Sequence, residues 1–102
     1  MVKIQDPNSL IQAFRHLLCE EREKRKLSQS ELAKKSGLSR QCIALFEGGQ
    51  RVPTFFSLFS LARGLDMPVT RFVSLFMNKL EFYEQQDQKL LVADSKKAKW
   101  RL

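Results

Sequence analysis

With 102 residues, 43% of them hydrophobic and 28% charged, the chain can bury one full core but not two, and it is not of a disordered composition. Its formal net charge of +7 excludes an acidic chain and favours a polyanionic partner. Residues 1–78 carry 12 basic and 7 acidic side chains, and residues 79–102 carry 6 and 4, so the excess lies mainly in the first part.

Cys19 and Cys42 are too few for a disulfide scaffold, and His16 is the single histidine, so no zinc-ligand spacing exists. No nucleophile–base pair or Gly-rich phosphate cradle stands out. The expectation is therefore no enzyme, no metal and no cofactor, with His16 a surface imidazole. The N-terminal stretch MVKIQDPNSLIQAF lacks an apolar run for secretion or membrane crossing, which sets the expectation of a cytoplasmic, reducing environment.

The first helix is expected to start at Asp6-Pro7, with Asp as cap and Pro at the first helical position. Leu10, Phe14, Leu17, Leu18 and Glu21 form its stripe, and the helix ends in the charged run at 20–26. Ser28 and Glu31 make the S-x-x-E capping box, with Leu27 in the staple position beside it. Leu32 and Ala33 face inward, and Gly37 permits a left-handed stop. Ser39 caps a third helix, whose Ile43 and Phe46 point to the core and whose end is marked by Gly48-Gly49. A fourth starts after Pro53-Thr54 and presents Phe55, Leu58, Leu61, Ala62 and Leu65 inward; a fifth starts near Pro68. No strand pattern or internal repeat is visible, so the fold class is all-α.

Two short helices joined by a Gly-containing turn have the grammar of a helix-turn-helix, whose second helix offers its outward N-terminal residues to base edges. With Ile43 and Phe46 taken by the core, Arg40, Gln41, Ala44 and Leu45 remain to face out. Arg and Gln can pair bidentately with guanine and adenine, and a leucine suits a thymine methyl. Arg22, Lys24, Arg25, Lys26, Lys34, Lys35, Arg40 and Arg51 cluster around this motif.

Residues from about 13 to 76 resemble the lambda-repressor-like helix-turn-helix domain of the Cro/repressor, or Xre, family. The resemblance rests on Arg22, on LSQSELAKKSGLSRQCIALFEGG and on RVPTFFSLFSLARGLDMPVTRFVSL. It implies a five-helix domain over 1–78 with a helical extension and basic tail over 79–102, and a sequence-specific, dimeric transcriptional repressor acting on double-stranded DNA. Carried over by position, Gln29 touches a phosphate and braces the recognition helix. Ser39, Arg40 and Gln41 open that helix and read bases, Leu45 adds a contact one turn on, and Arg51 meets the backbone. Arg22 and Glu47 match a structural ion pair. Cys42 stands where the family has a small or polar residue, and reads as a packed thiol. Phe56, with Phe59, Phe72, Phe76 and Phe82, suggests more apolar surface than one domain can hide.

Val73, Phe76, Leu80, Tyr83 and Leu90 follow spacings of three, four, three and seven. They read as a coiled-coil seam between two copies, or as a helix folded back on its own domain. The tail around Trp100 could contact a protein partner. The same domain serves antitoxins of toxin–antitoxin pairs and restriction–modification controller proteins, which stay as alternatives, with a protein-binding adaptor disfavoured by Arg40 and Gln41.

Overall fold

Helix α1 (Pro7–Lys24) opens on proline, which lacks the amide that a first helical turn would leave unsatisfied. The computed structural model describes the backbone of residues 7–91 and the side chains of residues 8–84. The remaining helices are α2 (Gln29–Ser36), α3 (Arg40–Glu47), α4 (Phe55–Gly64) and α5 (Val69–Leu91). Among the described residues there is no strand, and the all-α, five-helix expectation holds. The expected Asp6 cap lies outside them. None of these helices is long and apolar enough to cross a membrane.

Side-chain caps start the three inner helices. Ser28 Oγ accepts from the Glu31 amide at 3.0 Å while Glu31 Oε1 accepts from the Ser28 amide at 2.7 Å, completing the capping box. Ser39 and Thr54 accept from the Cys42 and Ser57 amides, each at 3.0 Å. The ends share a different device, a residue in the left-handed region. Gly37 (φ 80) closes α2, and Gly49 (φ 76) closes α3 while Gly48 stays right-handed. Lys26 (φ 56) and Asp66 (φ 58) do the same after α1 and α4. There the Leu27 and Met67 amides reach back to the Arg22 and Ala62 carbonyls at 3.2 and 3.0 Å.

The core joins Phe14, Leu17 and Leu18 to Leu32, Ile43, Phe46, Leu61, Leu65 and Phe72. Phe14 meets Phe46 edge-on at 5.5 Å. Gly64 lets α2 and α4 approach closely, since a Cβ there would lie 2.9 Å from Ser36 Cβ. Two expected inward residues are exposed instead: Leu10, and Phe55 at 73%. Phe55 shares the side of α4 that carries Ala62, but it sits in the first turn. Burial needs core at that height as well as the right phase.

Glu21 is buried, although it ends an otherwise apolar stripe. Burial alone would raise its carboxyl, but hydrogen bonds from Arg25 Nη1 (2.7 Å) and Lys24 Nζ (3.1 Å) outweigh that and hold it below the usual value. Arg25 Nε in turn donates to the Leu65 carbonyl at 2.8 Å, pinning the end of α4 to α1.

α5 runs antiparallel to α1, with Lys79 Nζ 2.9 Å from Glu20 and the Tyr83 hydroxyl hydrogen-bonded to His16 Nδ1 further back along α1. The supposed coiled-coil seam is therefore turned inward: Leu80 is buried in its own protomer, and Phe76 packs on the core. Phe72, expected among the surplus aromatics, is also fully buried. Of the seam, Val73 stays exposed, and the Leu90 side chain lies outside the described residues. A three–four spacing describes one side of any amphipathic helix, and here α1 occupies it. α5 passes residues 78 and 79 without a break.

Candidate nucleic-acid interface

Ile43 and Phe46 are buried to within 1% exposure, which fixes the rotation of α3 about its axis. Arg40 and Gln41, the first two residues after the Ser39 cap, are thereby turned to solvent. Leu45 lies one turn beyond Gln41 and is half-buried rather than fully outward as its position suggested. Its remaining exposed surface still borders the outward face. Cys42 packs against the core, in line with a packed thiol. Arg51 is exposed in the loop after α3 and reaches back to the first turn, its Nη1 3.8 Å from Cys42 Sγ.

The far end of α3 is held from behind. Glu47 Oε2 accepts from Arg22 Nε at 2.6 Å, and Oε1 accepts from Arg22 Nη2 and Gln29 Nε2, both at 3.0 Å. Arg22 Nη1 also donates to the Leu27 carbonyl at 2.7 Å, tying the α1–α2 turn into the same group. The Glu47 side chain is only 7% exposed, so the bidentate pair is desolvated and directional rather than a loose surface contact. Its hydrogen bond raises the Arg22 guanidinium above its usual value, keeping it charged. Burial, with Glu47 and Glu23 nearby, pushes the Cys19 thiol up, so it stays protonated.

The six residues singled out in the sequence thus divide by position. Ser39, Arg40, Gln41 and Arg51 gather at the open end of α3, Leu45 flanks them, and Gln29 is engaged in the brace behind. Arg15 was missed. Its Nε donates to the Glu47 main-chain carbonyl at 3.1 Å, satisfying an orphan acceptor at the end of α3. Arg15 stands two turns before Arg22 on α1, and that seven-residue spacing was the available signal.

The basic cluster also needs correction. Arg22 pairs with Glu47, Lys24 and Arg25 with Glu21, and Lys35 with Asp66 at 3.3 Å. Among the described residues, Lys26, Lys34, Arg40 and Arg51 are the members of that cluster without an ion pair. The described residues hold no group of His, Cys, Asp or Glu arranged for a metal ion.

A family model described as helix-turn-helix matches residues 20–72, which includes all of α2, α3 and α4. No curated protein matches the chain. Among solved structures, the wild-type restriction-modification controller protein C.Esp1396I is similar with a TM-score of 0.65 and 25% identity, over 70% of this chain and 92% of that one. The controller protein C.AhdI from Aeromonas hydrophila is 34% identical with a TM-score of 0.58, over 61% of this chain and 94% of that one. The clp gene regulator ClgR from Corynebacterium glutamicum, 20% identical with a TM-score of 0.70 over 81% of this chain and 88% of that one, shares the fold. With α3, the Arg22–Gln29–Glu47 brace and the turn before α3 all inside the matched segment, the chain belongs to the helix-turn-helix family, in its Xre and Cro/CI-like branch of DNA-binding transcriptional regulators.

Proposed function

We propose that the chain works as a dimeric repressor that reads a pseudo-palindromic operator through the first turn of α3. The observation that carries this is a recognition helix braced at its far end while Arg40 and Gln41, at its open end, make no side-chain hydrogen bond among the described residues. A site that must meet base edges needs such side chains unengaged before DNA arrives. Arg40 suits guanine O6 and N7, Gln41 suits adenine N6 and N7, and Leu45 suits a thymine methyl. Ser39 opens the same reading turn, and Gln29 and Arg51 are assigned to phosphates, which position the protein without reading sequence. Such a regulator works in the cytoplasm, and a protein partner is assigned to the part of the C-terminal extension beyond Tyr83.

A second reading, the controller of a restriction–modification system, is favoured by the 34% identity to C.AhdI over 94% of that controller. The antitoxin of a toxin–antitoxin pair stays the other alternative within the same reading. The genes beside this one separate these readings, since they specify an endonuclease and methyltransferase, a toxin, or neither.

Selection of bound duplexes from a random pool at fixed salt tests the common core. The expected outcome is one enriched motif with half-sites about 10 base pairs apart, or a multiple of that. Affinity should fall on the order of a thousandfold between 50 and 200 mM salt as phosphate contacts release counterions. A pool that stays unenriched at every salt concentration contradicts the proposal.

A further inference from the structure

Arg15 lies against the turn through which the chain leaves α3. Its Nε donates to the Glu47 main-chain carbonyl at 3.1 Å, and its Nη1 donates to Gln12 Oε1, one turn back on α1, at 3.0 Å. The turn itself is in close contact with the same side chain. A Cβ on Gly49 (φ 76) would stand 3.0 Å from Arg15 Cδ, 3.4 Å from Arg15 Nε and 3.5 Å from Ile11 Cγ2. Glycine lets the main chain settle this closely onto α1 while it takes the left-handed conformation.

Charge and geometry both favour a guanidinium at this place. α3 has no basic residue in its last turn, so Arg15 brings from α1 the cation that the negative end of that helix favours. The acceptors of both Arg15 hydrogen bonds are neutral oxygens. A planar fork meets two such oxygens in fixed directions, which a flexible ammonium does not reproduce. The Arg22 and Gln29 bonds act on the Glu47 carboxylate, and so on the rotation of α3. Arg15 acts instead on the main chain where it leaves the helix. From there the Gly49 and Gln50 amides turn back to the Phe46 and Leu45 carbonyls at 3.2 and 2.9 Å, and Arg51 follows at once. Its Nη1 ends 3.8 Å from Cys42 Sγ, beside the first turn of α3.

We propose that Arg15 is a positioning residue for the DNA-backbone contact. It seats the Gly48-Gly49 turn on α1 and thereby holds Arg51 level with the reading turn, while touching no DNA itself. The role rests on the assignment of Arg51 to a phosphate, but the seating of the turn is a property of the free protein and is measured without DNA.

Arg15→Met keeps the aliphatic stem against Gly49 and Ile11 and removes both hydrogen bonds. In the free variant, amide hydrogen exchange at Gly49 and Gln50 should quicken on the order of tenfold, while Leu65, whose amide closes α4, keeps its rate. Unchanged exchange at Gly49 and Gln50, or equal quickening at Leu65 through a general loss of stability, would overturn the proposal. With DNA, Arg15→Met should weaken the selected and a scrambled duplex alike, on the order of tenfold, and adding Arg51→Ala should cost nothing further, because the two side chains act through one contact. Losses that multiply would make Arg15 an independent contact and overturn the positioning role. Arg15→Lys keeps the charge without the fork and should also bind more weakly than wild type; full affinity there would reduce Arg15 to a source of charge, again overturning it. If Arg51→Ala alone leaves affinity and salt slope at wild-type values, the phosphate assignment fails, and the exchange rates alone then decide whether Arg15 seats the turn.

Discussion

Glu21 and Glu47 are two nearly buried carboxylates on a small basic protein, and each is tolerated only because arginine meets it inside the fold. Glu47 has Arg22 on both oxygens, and Glu21 has Arg25 and Lys24. A carboxyl whose value is lower in the folded chain than in the unfolded one gives stability that is complete above the unfolded value. That stability is lost as pH falls through the folded value. Glu21 is lowered, so its contribution is present at neutral pH and disappears below about 4.3, the ordinary glutamate value. Urea unfolding of wild type and Glu21→Gln at neutral and acid pH checks this: wild type should be the more stable at pH 7, and the gap should narrow by pH 3. A gap independent of pH would mean that Glu21 acts only through its shape. From sequence the Arg22–Glu47 pair was legible through family resemblance, whereas Glu21 looked like the polar end of an apolar stripe. Its partners three and four residues on were visible, but which face α4 would cover was not.

At the scale of elements, the starts were legible and half of the ends were not. Ser28, Ser39 and Thr54 are side chains that cap by their own oxygen, and Gly37 and Gly49 advertise a left-handed stop. Lys26 and Asp66 adopt the same backbone conformation with nothing in the side chain to announce it. Each carries the steric penalty of a non-glycine residue there, about 1–2 kcal/mol. Lys26→Gly should therefore stabilise the fold by up to about 1 kcal/mol once the extra freedom of glycine in the unfolded chain is allowed for. The denaturation midpoint measures it, and a lower midpoint would contradict the assignment. α5 supplies the other lesson. A stripe at spacings of three and four fixes which residues of a helix are covered but not by what, and the cover here is α1. Leu80→Asp should accordingly unfold the protomer, seen as loss of helical circular dichroism and not as a folded monomer. A burial this complete makes the cost of the aspartate several kcal/mol.

For the whole molecule, composition and charge pointed to a polyanion, and the resemblance specified DNA and the reading face. Only distances could show how much of the basic cluster is engaged. Arg22, Lys24 and Arg25 are held by the nearly buried Glu47 and Glu21, whereas Lys35 meets only the exposed Asp66, which shifts the expected DNA contacts toward Lys26, Lys34, Lys35, Arg40 and Arg51. The exposed aromatics of α4 were partly legible, because Phe56 and Phe59 belong to a set of phenylalanines too large for one domain to hide. That Phe55 joins them, while Phe72 leaves, depended on how far the core extends along each helix. In the function proposed, labour is divided at the open end of α3: Arg40 and Gln41 read bases and Arg51 holds the backbone. Fluorescence-anisotropy titration of the selected duplex and a scrambled one over a range of salt, with wild type, Arg40→Ala/Gln41→Ala and Arg51→Ala, measures that division. The double variant should bind the selected site no better than the scrambled one, each lost contact removing about 1–3 kcal/mol of discrimination. Arg51→Ala should weaken both duplexes alike and lower the salt slope by about 1 for each protomer. Lost discrimination in Arg51→Ala, with the double variant still telling the two duplexes apart, would contradict the placement of the reading face.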